Sequence, residues 1–366
     1  MIRAYLPRDL EDLTRWYMRY VSPAALVAGF LLDNLVLLRR VDLWMGHVLL
    51  FTYLFVAAAC IVLLNLITSG RIKNAWIMRA TPIIPVAAQF AFGGLFSAYL
   101  ALYSRSAAYS VSWIFVIIVA GLLLGNERFV RLYMRFSFQI AIFFTSLFSF
   151  LIFFLPVVLL RIDTYIFLLS GVVSLALIAL LVGLLYSLTP EIVLAEGKRV
   201  ARSIAIIYVL FNVLYFTNAI PPLPLALKDA GIYHGISKKS EGGYTVLEEL
   251  VPWYEAYLRY NTSFHLQQGS TAYAFSAIFA PSGLSTVILH EWQRYDDVLG
   301  AWVTTDTLRF PITGGRDGGY RGYTIKTVTP GKWRVNVITQ SGRLIGRLSF
   351  AARSDAATRK LEELEK

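Results

Sequence analysis

The chain has 366 residues, of which 57% are hydrophobic and only 16% charged, too apolar for a soluble globule, where charged residues approach about a quarter. Its formal charge of +11 does not mark a nucleic-acid footprint, because residues 1–220 carry 17 Lys/Arg against 9 Asp/Glu and residues 221–366 carry 17 against 14. The excess in the first half has a topological explanation, and a single cysteine, Cys60, excludes an internal disulfide and a thiolate metal site.

Residues 1–20 mix acids, bases and aromatics ahead of the first apolar run, which fits neither a short signal sequence nor a cleavage site, so the first helix is expected to be retained. Crossing a hydrocarbon core of about 30 Å takes about 20 helical residues. Seven stretches qualify, near Val21–Leu38, Leu43–Ile67, Thr81–Tyr103, Tyr109–Gly125, Phe136–Leu160, Thr164–Leu188 and Ser203–Ile220. All 17 bases of this half fall outside these runs.

Lys and Arg are retained on the cytoplasmic side. With the N-terminus inside, 13 bases lie in cytoplasmic segments, in clusters around Arg3 to Arg19, Arg71 to Arg79, Arg128 to Arg135 and Lys198 to Arg202. Only 4 lie opposite: Arg39, Arg40, Arg105 and Arg161. An odd number of crossings then exports whatever follows. Inside the spans, Asp33 is the only acid and Asn34 is polar beside it, with His47, Asn65, Gln89 and Gln139 as further polar positions. Such groups are costly in hydrocarbon unless paired, so they serve either a transport site or interhelical packing.

Pro221, Pro222 and Pro224 end the helical pattern. Residues 221–268 read as a Pro-rich linker and mixed segment, with a short helix starting near Pro252. Beyond it the period becomes two. Tyr273, Phe275, Ala277 and Phe279 alternate against Ala274, Ser276 and Ile278, and Trp333, Val335 and Val337 alternate against Arg334 and Asn336, as in half-buried strands. Strands are expected near 271–279, 285–292, 301–309, 319–328, 332–339 and 343–351, forming a domain over 269–353. The charged tail, 354–366, reads as a short solvated helix. The expected architecture is thus a membrane α-helical bundle of about seven transmembrane helices, followed by a C-terminal all-β domain, immunoglobulin-like or an antiparallel sandwich.

The stretch Phe279–Phe350 resembles a bacterial family known as domain of unknown function 2914, found at the C-terminus of membrane proteins. The resemblance rests on His290-Glu291-Trp292, Trp302, the run from Gly314 through Thr324, Gly331-Lys332-Trp333-Arg334-Val335, Gly342 and Phe350. It implies the two-part layout and no activity, because the family has none assigned.

The Gly-rich run 314–324 lacks both the Gly-Lys-Ser/Thr of a phosphate loop and a GxGxxG between strand and helix, so glycines in a bulged hairpin explain it structurally. The sharper alternative is an anion or glycan surface. Between 309 and 347 eight bases, Arg316, Arg321 and Arg334 among them, face the single acid Asp317, with Tyr320, Tyr323 and Trp333 interleaved. Guanidinium forks grip carboxylates and phosphates, and aromatic faces suit sugars or peptides; His290 and Trp292 complete the ligand-binding candidates.

His290-Glu291 is not a zinc-protease signature, because position 294 is Arg and a strand points the two residues to opposite faces. His234, His265 and His290 are too scattered to suggest a metal, and no cofactor motif or catalytic nucleophile stands out. The leading expectation is an inner-membrane protein presenting a periplasmic β domain to an envelope protein, glycan or anionic lipid, with the lipid bilayer as its other partner and no role for nucleic acid. The alternatives are a transporter or channel around Asp33 and an envelope lipid or glycan enzyme using His290, Arg316 or Arg321.

Overall fold

The computed structural model describes residues 44–106, 109–126, 128–239, 243–249, 263–266, 271–316, 318–354 and 360–366. The run Val21–Leu38, with Asp33 and Asn34, and the helix expected near Pro252 lie outside the described residues. The chain divides into two compact units, a helical one ending at Ile220 and a β-rich one containing Pro221–Lys366 with two short helix-connecting segments.

The helical unit contains α1 (Trp44–Thr68), the short α2 (Ala75–Ala80), α3 (Ile83–Ser106), α4 (Tyr109–Asn126), a 3-10 turn (Phe129–Met134), α5 (Phe136–Leu159), α6 (Thr164–Leu188) and α7 (Pro190–Phe216). Five of them, α1, α3, α5, α6 and α7, are long and apolar enough to cross a membrane, whereas the apolar part of α4 is shorter. The start of α7 differs from the expected Ser203. Thr189 alone links it to α6, and Pro190, which has no N–H to lose, occupies its first turn. The charged segment Glu191–Arg202 therefore extends the helix beyond its apolar stretch.

Contacts along the helices define an up-and-down bundle. Near the start of α1, His47 meets Phe153 close to the end of α5, while Asn65 near the end of α1 bonds Gln139 near the start of α5. The two helices are therefore antiparallel. Helix α3 runs with α5, since Tyr99 and Tyr103 donate to the carbonyls of Ser146 and Ser149 at 2.8 and 2.9 Å. Phe148 stacks on Phe211 of α7 at 4.7 Å, and Phe167 on α6 stacks on Tyr215 at 3.6 Å. Aromatic interdigitation, with the Tyr99 and Tyr103 hydroxyls satisfied by backbone carbonyls, is the kind of packing that holds helices together where the hydrophobic drive between them is weak.

In the β unit the strands are β1 (Ala226–Tyr233), β2 (Gly235–Lys238), β3 (Tyr244–Glu249), β4 (Ser263–Leu266), β5 (Thr271–Phe279), β6 (Ser285–Asp296), β7 (Ala301–Thr313), β8 (Tyr320–Thr327), β9 (Gly331–Thr339), β10 (Leu344–Ser354) and β11 (Leu361–Glu365). They form three sheets: β1-β5-β8, β4-β10-β9-β6-β7 and β11-β3-β2, called here the middle, large and small sheets. All pairs are antiparallel except β4 with β10, which is parallel.

The middle sheet is covered on both faces. Ala272, Ala274 and Ile278 of β5 pack toward Trp292, Trp333, Val335 and Leu348 of the large sheet, or toward Ile288 and Val337. Phe275 and Ala277 pack with Val246, Ile236 and Tyr244 of the small sheet. This corrects three sequence expectations together. β5 is buried rather than half-buried, the 221–268 segment holds four strands rather than serving as a linker, and the tail contributes β11 rather than a helix. A single cause underlies them: the odd face of β5 is as apolar as the even face, and β2, β3 and β11 assemble the layer that hides it. The tail supplies backbone partners for the open edge of β3, and a short charged helix would offer that edge nothing. The two-layer sandwich thus gains a third layer.

Candidate functional site

The Gly-rich run links β7 of the large sheet to β8 of the middle sheet, so it crosses between layers instead of closing a hairpin. Its glycines serve close backbone approach. A Cβ at Gly314 would lie 1.8 Å from the Pro281 carbonyl oxygen, and Gly319, at φ +83°, would put one 2.8 Å from Ile278. The side chains it carries are also committed. Arg316 lies over the Tyr320 ring at 5.6 Å, Arg321 Nη1 donates to the Lys366 carbonyl at 3.0 Å, and Tyr323 packs edge-on against Tyr244 between the middle and small sheets. The run thus builds structure, and its residues do not converge on one site.

His290 and Trp292 point inward from β6, and both are fully buried. His290 Nε2 lies 2.8 Å from Ser276 Oγ, and its Nδ1 lies 2.8 Å from Thr324 Oγ1, which also accepts from Trp292 Nε1 at 3.2 Å. A neutral ring protonated on Nε2 satisfies all of these bonds. Burial holds the imidazole pKa near 3, so the ring is neutral and inaccessible, tying large sheet to middle sheet. Trp333 is likewise core, 3% exposed, with its indole N–H donating to Thr329 O at 2.7 Å.

On the outer face of the large sheet the same strands carry a polar plate. The register places Glu291 opposite Asn336 and Asn336 opposite Arg347 in one row, with Gln293 opposite Arg334 in the next. Cross-strand neighbours at this spacing touch directly. Asn336 Nδ2 donates to Glu291 Oε2 at 2.8 Å, Gln293 Nε2 donates to the same oxygen at 3.0 Å, and Thr304 Oγ1 of β7 donates to Glu291 Oε1 at 3.2 Å. Arg347 Nε donates to Asn336 Oδ1 at 2.7 Å, and Arg334 Nε donates to Gln293 Oε1 at 2.5 Å, with its guanidinium stacked 4.4 Å from the Trp302 ring. Both arginines are held through Nε, and among the described residues no hydrogen bond uses their terminal nitrogens. Burial, and for Arg334 the neighbouring Arg347 charge, push both guanidinium pKa values down against the opposing pull of Glu291. Two cations on one plate therefore face a single acid, an imbalance that a bound anion relieves.

Of the sequence candidates, only Arg334 stands on this plate. Arg347, on β10, enters the sequence reading only as one of the eight bases between 309 and 347, and Glu291, Gln293 and Asn336 are not ligand candidates there, although Glu291 and Gln293 on β6 and Arg334 and Asn336 on β9 are spaced by two and mark an outward face. A second cluster was also missed. Glu249 at the end of β3 accepts from His265 N at 2.7 Å and lies 2.6 Å from both His234 Nε2 and His265 Nδ1. Burial raises its carboxyl pKa, but these three contacts outweigh that and hold it at about 2. The carboxylate locks three chain segments together, and His234 stacks on Phe264 at 4.1 Å. Among the described residues no group of His, Cys, Asp and Glu is placed to hold a metal.

In the helical unit, Asn65 and Gln139 do join, as part of a buried relay. Asn65 Nδ2 donates to Gln139 Oε1 at 2.7 Å, Gln139 Nε2 to Tyr133 O at 2.6 Å, the Tyr133 hydroxyl to Asn126 Oδ1 at 2.5 Å, and Asn126 Nδ2 to Gln89 O at 2.9 Å. Gln89 thus takes part through its backbone. His47 instead packs between the rings of Phe153 and Phe154, at 6.1 and 5.4 Å.

Residues 285–351, the segment that carries the plate from β6 to β10, match the family described as "Protein of unknown function (DUF2914)", which is uncharacterised. No curated protein matches the chain. Among solved structures, the Pseudomonas fluorescens alkylpurine DNA glycosylase AlkC bound to DNA containing an abasic site analog is similar at 11% identity, over 86% of this chain and 100% of that one. Its TM-score is 0.23, and no argument rests on it.

Proposed function

We propose that this protein is a bacterial inner-membrane protein whose helical bundle anchors the β unit on the periplasmic side, where the outer face of the large sheet binds an anionic envelope ligand. The ligand class is a glycan, lipid headgroup or partner protein bearing carboxylates or phosphates. The apolar helices and the uncharacterised β domain are compatible with a membrane protein, and the uneven distribution of bases supports the sidedness. The observation that carries the binding reading is the pair Arg334 and Arg347. Each is oriented by its Nε bond and backed by Gln293 or Asn336, with its terminal fork unused. Preorganised guanidinium forks of this kind recognise planar anions bidentately. The enzyme alternative loses its main residue, because His290 is buried with both nitrogens engaged.

The test uses the purified full chain in detergent, captured on an immobilised uronic-acid oligosaccharide and, separately, on vesicles containing phosphatidylglycerol. Arg334→Gln combined with Arg347→Gln should weaken capture at least about tenfold, the scale of losing charged hydrogen bonds. Arg316→Gln combined with Arg321→Gln should change it little. Capture that is indifferent to the first pair removes the site, and a reporter fused after Phe350 that is active only in the cytosol removes the sidedness.

A further inference from the structure

We infer that the tip of the hairpin joining β6 to β7 is a membrane-docking element, which seats Val298 and Leu299 at the apolar margin of an anionic lipid surface. Val298 is 95% exposed and Leu299 69%, the highest values among the large apolar side chains described in the β unit. The turn fixes their backbone, because Asp296 Oδ1 accepts the N–H groups of Val298 and Leu299 at 2.8 and 3.0 Å. A lone exposed aliphatic needs no explanation. The order of chemistry behind this pair supplies one.

Directly behind the tip, Tyr295 stands opposite Trp302 in the register, with the two rings edge to face at 5.3 Å. At that level and just behind it come cations. Lys332 Nζ lies over the Tyr295 ring at 5.4 Å, Arg294 Nη2 donates to the Pro330 carbonyl at 3.3 Å, and the pairing of Ala352 with Gly331 sets Arg353 at the same end of the sheet. Aliphatic, aromatic, cationic is the order from hydrocarbon through interface to phosphates in an anionic leaflet. The three residues from Val298 back to Tyr295 span at most about 10 Å of strand, comparable with the depth of about 5–10 Å that interfacial apolar groups reach.

Charge selects the occupant. Among the described residues at this end of the large sheet, the exposed bases Arg294, Lys332 and Arg353 outnumber the acids Asp296 and Asp297. An anionic surface is therefore attracted, whereas a second copy of the same tip carries the same excess and is repelled. Asp297, exposed beside Val298, limits the depth, since a carboxylate is costly in hydrocarbon, and docking is accordingly shallow and reversible. The inference rests on the membrane reading, because helices long and apolar enough to cross a bilayer keep one tethered to the chain. It does not use Arg334 or Arg347, so the tip and the plate can fail independently.

The test places the full chain in nanodiscs of phosphatidylcholine with or without phosphatidylglycerol. Cys60→Ser removes the native thiol, and one environment-sensitive fluorophore is attached at Val298→Cys or, at the opposite end of the sheet, at Ser341→Cys. With phosphatidylglycerol present, spin-labelled lipid tails should quench the 298 label several-fold more than the 341 label, and its emission should shift to the blue. Leu299→Asp should bring that quenching down to the 341 level and leave capture on the uronic-acid oligosaccharide intact, which keeps this site separate from the plate. Removing Arg294 and Lys332 as Gln variants should lower the ratio of docked to free tip about fivefold per base, the equivalent of about 1 kcal/mol each near an anionic surface. Asp297→Asn should raise the ratio several-fold. Equal quenching at 298 and 341, or quenching indifferent to phosphatidylglycerol and to both bases, overturns the assignment. So does a 298 label shielded from aqueous iodide without quenching from the lipid, the mark of a protein contact. If Leu299→Asp fails to fold, Asp297→Asn decides, and an unchanged or lower ratio in that variant overturns it.

Discussion

The two faces of β6 put similar chemistry to opposite use. Inward, His290 meets Ser276 and Thr324 in a buried layer where both ring nitrogens are bonded. Outward, Glu291 and Gln293 bond Thr304 and Asn336, Arg334 donates to Gln293 and Arg347 to Asn336, and among the described residues no hydrogen bond uses the terminal nitrogens of the two arginines. The difference teaches that residue type alone does not mark a site here. A closed set of hydrogen bonds fixes layers in place, whereas an open set on a partly exposed face has capacity left for a ligand. The helical unit holds a set of the first kind, the relay from Asn65 to Gln89 that joins helices through buried amide groups.

The inner face should respond most strongly to substitution. Trp292→Ala removes a fully buried indole and its bond to Thr324, and should cost about 3–5 kcal/mol. Hydrogen exchange of the full chain, read on peptides from β9 and β10, should show the loss, and a change below about 1 kcal/mol would mean the layer is not the core described here.

Next comes acidity. The folded pKa of His290 is about 3, below the unfolded value of about 6.5, so the unfolded chain binds the extra proton between those values. Its contribution is complete above pH 6.5 and declines as the pH falls toward 3. Between pH 7 and pH 5 this one residue should cost the β unit about 2 kcal/mol. His290→Gln should remove that part of the slope in exchange measurements corrected for intrinsic rates. Glu249, with its carboxyl held near 2, acts in a lower window: its stabilisation is present above the usual glutamate range and is lost as pH falls through 2.

Much of the layout was legible, and the reasons are specific. Mostly apolar helices of 24 and 25 residues such as α5 and α6 leave little ambiguity, because only a helix satisfies its own backbone in lipid. Strict alternation from Trp333 to Val337 placed β9. The small sheet was hidden because β2 and β3 are short and β11, Leu-Glu-Glu-Leu-Glu, has the charge spacing of a solvated helix. What makes these segments strands is the apolar odd face of β5 that they cover, a long-range cause. The same limit applied to the site. Alternation told which residues of β6 and β9 face outward, but only the register sets Glu291 opposite Asn336 and Arg347 beyond it. The glycine-rich run drew attention by composition, when its glycines answer to the Pro281 and Ile278 backbones.

Within the helices, Gln139→Leu breaks the buried relay at its centre and leaves one Asn65 amide N–H and the Tyr133 carbonyl without their side-chain partner. Interhelical hydrogen bonds in membranes average about 0.6 kcal/mol with a maximum near 1.7, so a loss of about 1 kcal/mol in detergent unfolding is expected. A much larger loss would make the relay a keystone of the bundle instead of one packing contact among many.

The outer plate should give the smallest change in stability and the largest change in recognition, and that dissociation separates the two faces. Arg347→Gln removes one of two neighbouring cations and keeps an amide near Asn336, so lost bonding and relieved repulsion oppose each other. The net effect on hydrogen exchange in β9 and β10 should stay within about 0.5 kcal/mol, as for ordinary surface substitutions. Anion capture should fall in the same protein and decline further with added salt, because partly exposed charges are screened. A plate that served only to brace the sheet would behave the other way, losing stability with each arginine and leaving capture unchanged, which would place Arg334 and Arg347 with His290 among the residues that hold layers together.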